Sequence, residues 1–105
     1  MSASASPPCL TVEAVQAALA DPALRSWSVR DGRLYREYRF PSFVEAFGFM
    51  ASVALRAEAM NHHPEWSNVY DRVTVSLTTH DSAGITDRDL ALARQMERLA
   101  AGRVL

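Results

Sequence analysis

His62, His63 and His80 are the only imidazoles in a chain of 105 residues. Imidazole changes charge near neutral pH, so a positioned pair can give one proton and take another within one turnover. His62 and His63 are adjacent and precede Pro64, at what reads as a helix end. His80 closes a strand-like run after Thr78 and Thr79. A helix C-terminus and the end of a returning strand can be neighbours in a helix–hairpin unit, so three rings from two segments could share one cleft. The bland alternative for any one of them is a histidine that simply favours the negative end of a helix.

Zinc is a rival use of three histidines. Neighbouring residues on a helix point about 100° apart, whereas chelation from a helix favours i, i+4 spacing, so no metal is expected here. Asp89 reads as the return half of a capping box with Thr86, or as a carboxylate that orients an imidazole; both can hold at once. Glu58 stands four residues before His62 on the same predicted helix face, as a site carboxylate or as an exposed charge. Trp66 and Tyr70 are strand core or a wall for a flat ring, with core the preferred reading for Tyr70.

The composition removes several other chemistries. Lysine is absent and all eleven basic residues are arginine, so no Schiff base or amine nucleophile exists. Cys9, the single cysteine, forms no internal disulfide and sits beside Pro7 and Pro8, a poor setting for a catalytic thiol. The serines lack a nucleophile elbow, and no phosphate loop or dinucleotide fingerprint occurs. Arg33, Arg36 and Arg39 alternate with Tyr35, Tyr38 and Phe40, a pattern that suits single-stranded RNA on a sheet face. Strand parity divides those arginines between two faces and the net charge is −1, so nucleic acid is not an expected partner. No apolar run is long enough for a membrane span and no secretory signal pattern opens the chain, so the expected location is cytoplasmic.

The elements that must position these residues follow from periodicity. Residues 1–10 read as a disordered leader, and residues 11–105 as a single domain. Thr11 caps a first helix with Val12, Val15, Ala18 and Leu19 on its apolar stripe, ended near Asp21-Pro22. Asp31-Gly32 joins two strand-like runs, Trp27 to Arg30 and Arg33 to Phe40, as a tight hairpin. Ser42 and Glu45 form a capping box that opens a helix from Phe43 to Met60, and Pro64 is expected to stop it just after His62-His63. Phe43, Phe47, Met50, Ala54 and Ala57 make its main stripe, widened by Ala46, Phe49, Val53 and Met60. An apolar arc this broad predicts that part of it is a subunit interface. A second hairpin, Trp66 to Tyr70 and Arg72 to His80, alternates Val73, Val75 and Leu77 with hydroxyl residues. Thr86 and Asp89 cap a last helix to about Ala101, with a stripe of Leu90, Ala93, Met96 or Glu97, and Leu99-Ala100. The expected fold is α+β, α-β-β-α-β-β-α, a four-stranded antiparallel sheet with the helices on one face.

The stretch Glu58-Ala59-Met60-Asn61-His62-His63-Pro64-Glu65-Trp66-Ser67-Asn68-Val69-Tyr70 resembles the signature of the pterin-4a-carbinolamine dehydratase family, and so does Val73 to His80. The segment from Phe43 to Leu55, with Ala-Phe-Gly-Phe-Met at its centre, is similar too, and the likeness runs roughly from Trp27 to Leu99. It implies the same sheet-and-helix fold in homodimers or homotetramers. It also implies loss of water from a 4a-hydroxytetrahydropterin to give a quinonoid dihydropterin in tetrahydropterin recycling, with no cofactor. On that resemblance His62 and His80 are the acid–base pair. His63 binds and polarises the pterin, Asp89 and Glu58 orient rings, and Pro64 and Trp66 complete the substrate site. A non-catalytic protein-interaction module on the same fold is the alternative.

Overall fold

The computed structural model describes residues 6–105. Helix α1 (Val12–Leu19), strands β1 (Ser28–Arg30) and β2 (Arg33–Arg39), helix α2 (Phe43–Met60), strands β3 (Glu65–Val69) and β4 (Arg72–Leu77), and helix α3 (Asp87–Ala100) follow in that order. The strands form one antiparallel sheet in the order β1-β2-β4-β3, so the two hairpins lie side by side and α2 carries the chain across to the far edge. The fold is the expected α+β arrangement. Within the leader expected over residues 1–10, residues 1–5 lie outside the described residues. Beyond them, Leu10 donates its N–H to the Ile85 carbonyl at 2.8 Å.

Each boundary has a local cause. Thr11 accepts the Ala14 N–H and caps α1, and Asp21 caps a short 3₁₀ turn, Pro22–Leu24. Asp31 and Gly32 both take positive φ, 53° and 74°, as a two-residue hairpin loop requires. Ser42 accepts the Glu45 N–H at 3.2 Å, but the Glu45 carboxylate approaches Arg103 at 3.5 Å, so no return hydrogen bond to Ser42 is seen. Thr86 and Asp89 do complete both halves of their capping box.

The sheet is buried on one face. Leu34 and Tyr38 of β2 stand opposite Leu77 and Val73 of β4, and all four are buried. Helix α2 lays Ala46, Phe49, Val53 and Ala57 on this face, at the spacing one side of a helix gives, and α3 adds Leu92, Ala93, Met96 and Ala100. Tyr38 and Phe49 pack with ring centroids 4.7 Å apart, and Phe40 joins Phe49 at 5.0 Å. Three expectations about the core need correction. Phe43 and Phe47, assigned to the main stripe of α2, are exposed, whereas Ala46, Phe49 and Val53, expected only to widen it, form the core together with Ala57. Val12 is likewise exposed on α1. Tyr70, expected in the core, is 66% exposed because it occupies the β3–β4 turn at φ 52°.

Arg36 points into the covered face yet is not stranded there. Glu97 of α3 receives the Arg36 Nε–H at 3.1 Å, the Trp27 Nε1–H at 2.9 Å and the Tyr38 hydroxyl at 2.5 Å. This carboxylate clamps α3 to the sheet from one side chain, and burial together with the neighbouring Glu97 pushes the Tyr38 phenol well above the ordinary tyrosine range.

Candidate active site

The end of α2 sets the position of the first two histidines. Asn61 turns left-handed at φ 51° and ψ 44°, and the His62 N–H returns to the Ala57 carbonyl at 3.0 Å. This six-to-one closure stops the helix at Met60, so both histidines lie beyond it and Pro64 only follows a stop already made. His62 is thereby fixed by backbone to a helix packed on the core.

The third histidine arrives from beyond the end of β4. Strand β4 ends at Leu77, earlier than expected, and His80 opens a 3₁₀ turn, His80–Ser82, instead of closing the strand. Thr79 holds this turn to the rest by pairing with Gly84, N–H to carbonyl at 2.9 Å. The result is a cleft of about 200 Å³ lined by Asn61, His62, His63, Thr78, Thr79, His80 and Asp81. Two segments far apart in sequence thus bring all three imidazoles to one hollow.

Each imidazole faces a carboxylate of its own through Nε2. His62 meets Asp89 Oδ1 at 2.6 Å, His63 meets Glu58 Oε1 at 2.8 Å, and His80 has Glu65 Oε2 within 3.1 Å. The three settings differ sharply in exposure. Asp89 is wholly buried and His62 8% exposed, whereas the His63 and His80 side chains are 58% and 69% exposed. A charge-assisted bond in a dry setting is much stronger than one in water. The His62–Asp89 pair is therefore the rigid member of the site, and the other two rings are free to adjust to a ligand.

A carboxylate offers only acceptors, so the bond from His62 to Asp89 puts the imidazole proton on Nε2. His62 Nδ1 is then the atom left for exchange with a ligand. Among the described residues no buried side-chain nitrogen or oxygen lacks a partner, and no partner is seen for Nδ1, so it is open to solvent on a residue that lines the cleft.

The remaining candidates fall as follows. Glu58 pairs with His63, not with His62 as i, i+4 spacing suggests, because His62 has left the helix. Asp89 forms the floor beneath His62. Glu58, Pro64 and Trp66 are absent from the cleft lining; Trp66 stands opposite Val75 on the covered side of the sheet and packs partly buried against the core. Among the described residues no group of three His, Cys, Asp or Glu side chains has metal-holding geometry.

Sequence reasoning passed over two residues here. Thr79 donates its hydroxyl to Asp89 Oδ2 at 2.9 Å, and its inward direction continues the parity of Val73, Val75 and Leu77, a signal that was available. Glu65, adjacent to Pro64, faces His80 and is also paired with Arg33 of β2. No spacing rule points to that three-residue chain.

Comparison with known proteins gives a consistent picture. Residues 8–99 match the family model described as Pterin 4 alpha carbinolamine dehydratase. A Solibacter usitatus protein bearing the pterin-4-alpha-carbinolamine dehydratase name is 54% identical over 93 residues, 89% of this chain and 96% of its own. A similarly named protein of Prochlorococcus marinus (strain MIT 9313) is 62% identical over 79 residues, covering 75% and 82% of the two chains. A crystal structure described as a transcriptional coactivator/pterin dehydratase from Brucella melitensis superposes with a TM-score of 0.83 at 45% identity, over 89% of this chain and 99% of that one.

Proposed function

The chain belongs to the pterin 4 alpha carbinolamine dehydratase family, and from that premise we propose that it dehydrates a 4a-hydroxytetrahydropterin by histidine acid–base catalysis. The reading is supported above all by the meeting of His62, His63 and His80 around one cleft, with His62 held by a buried carboxylate.

The reaction breaks one C–O bond and makes one C=N bond. Hydroxide is a poor leaving group, so the C4a oxygen takes a proton as it departs and leaves as water. The electron pair comes from a ring nitrogen, which gives up its own proton. One acid and one base suffice, and the balance closes without a redox partner. Positioned proton transfer of this kind is worth about 10²–10⁴-fold. His62 and His80 are the pair, one on each side of the ring. The imidazole on the hydroxyl side acts as the acid, the more demanding role, and the other as the base, with the roles exchanged between the two C4a epimers. Each acts through Nδ1, since Nε2 of each faces a carboxylate. His63, with Glu58 beside it, binds and polarises the pterin. Asp89 and Glu58 act as positioning residues.

The pterin product would return to an aromatic hydroxylation cycle, and the same reading puts the protein in the cytoplasm. It also makes the protein a homo-oligomer. Phe43, Val44, Phe47 and Leu55 form an exposed ridge on α2, opposite the core stripe, and a second copy of the chain is its proposed occupant. That ridge also favours the alternative, an interaction module without catalysis. Dehydration of a synthetic 4a-carbinolamine, followed against the spontaneous rate, separates the two: acceleration supports the enzyme, and a rate equal to background supports the module.

A further inference from the structure

Asp89 carries more than His62. Its two oxygens receive three hydrogen bonds: His62 Nε2–H on Oδ1 at 2.6 Å, and both the Thr86 N–H and the Thr79 hydroxyl on Oδ2 at 2.9 Å each. The Thr86 N–H is a backbone donor belonging to the helix cap. Among the described residues Thr79 is thus the one side chain, other than the histidine itself, that hydrogen-bonds this carboxylate and so decides how it is turned.

Proton counting gives the direction of the network. Thr79 Oγ1 lies 2.6 Å from Thr86 Oγ1 as well as 2.9 Å from Asp89 Oδ2, and a hydroxyl has only one proton to give. A carboxylate is the stronger acceptor, so the Thr79 proton goes to Asp89 and the Thr86 hydroxyl donates to Thr79. Thr86 Oγ1 in turn accepts the Arg88 N–H at 3.2 Å. Each hydroxyl then gives its one proton once in a consistent sense, with Asp89 Oδ2 accepting twice, and Thr79, Thr86 and Asp89 are all buried.

We propose that Thr79 is a positioning residue for the reaction: its hydroxyl fills Asp89 Oδ2, leaves Oδ1 as the acceptor for His62, and so holds the imidazole with its proton on Nε2 and its lone pair toward the cleft. The same residue is bridged by its backbone to Gly84 and is followed directly by His80. One residue therefore ties the orientation of His62 to the placement of the turn that carries the other proposed acid–base ring.

The proposal rests on the dehydratase reading for its rate measurements and stands apart from it in its spectroscopic one. The test compares Thr79→Val, which keeps shape and removes the hydroxyl, with Thr79→Ser, which restores it. Thr79→Val is expected to lower kcat by about ten- to a hundredfold with KM within about twofold, and Thr79→Ser to recover most of that loss. In the Asp89→Asn background Thr79→Val should cost little more, because the group it acts through has gone. The ring ¹⁵N shifts of His62 should report a single Nε2–H tautomer in the wild type and in Thr79→Ser, and a mixture in Thr79→Val. If Thr79→Val fails to fold, Thr79→Ser and Thr79→Ala carry the same contrast. Equal kcat losses for Thr79→Val with and without Asp89→Asn, or an unchanged His62 tautomer in the hydroxyl-free variant, would overturn the proposal. A wild type that does not dehydrate the carbinolamine sinks the function and leaves the tautomer test standing.

Discussion

His62 Nε2 lies 2.6 Å from Asp89 Oδ1 at the floor of the cleft, and the carboxylate is wholly out of water. A hydrogen bond to a carboxylate this dry is held by its geometry, so losing either member should be felt as chemistry more than as binding. The pair also links the end of α2 to the start of α3, so it is part of the fold as well as of the site.

Replacing Asp89 with Asn tests that double role. The amide can satisfy at most part of the three donors now on the carboxylate, and the tautomer of His62 loses its anchor. We expect kcat to fall about 100-fold, within the range for a positioned proton transfer, with a smaller change in KM. The helix cap weakens too, by about 1 kcal/mol, read as a lower denaturation midpoint. A variant with full kcat would contradict the role given to Asp89.

Glu65 should matter less, and in a salt-dependent way. It faces His80 and Arg33 at a half-exposed position, where ion pairs are worth about 0.2–1 kcal/mol and are screened. Glu65→Gln is expected to lower kcat about two- to fivefold in dilute buffer, with the gap closing near molar salt. A loss that ignores ionic strength would mean that Glu65 acts by packing and not by charge.

Tyr38 gives the alkaline limb of stability. Burial first, and then its bond and charge contact with Glu97, raise its pKa above the ordinary 10.0. The folded state holds this proton more tightly than the unfolded chain does. The stabilisation is therefore fully present below the unfolded value and is lost as pH rises beyond it. Urea midpoints should fall above about pH 10 in the wild type and fall less steeply in Tyr38→Phe. Parallel slopes in the two proteins would show that some other group governs that limb.

The α2 ridge predicts association. Phe47→Glu places a charge beside Phe43, whose ring centroid is 6.0 Å from that of Phe47, without touching the core stripe. Sedimentation should give an oligomer for the wild type and a folded monomer for the variant. A wild type that stays monomeric at all concentrations would leave the ridge without its proposed occupant.

Much of this was legible from residue order. The Asp31-Gly32 loop, the Thr86–Asp89 cap and the inward set Val73, Val75 and Leu77 each follow from a local rule that the tertiary structure leaves alone. What failed to show was decided by contacts between distant segments. Both sides of α2 are apolar, and periodicity alone does not say which side meets the sheet, so Phe47 and Phe49 were ranked in the wrong order. Leu92 was missed on α3 because the burial phase there is set by α2 and the 3₁₀ turn at Pro22–Leu24. The partner of Glu58 depended on a left-handed Asn61, a single backbone state that sends His62 toward Asp89 and leaves Glu58 to His63. The three histidines themselves were the clearest signal, and the fold brings them together.

The central claim is that His62 and His80 serve opposite sides of one pterin ring. The direct measurement is stopped-flow dehydration of the two separate C4a epimers by the wild type, His62→Gln and His80→Gln. Each variant is predicted to lose about 100-fold or more on one epimer and far less on the other, with the affected epimer exchanged between the two variants. Equal losses on both epimers, or a wild-type rate no faster than the spontaneous one, would contradict it.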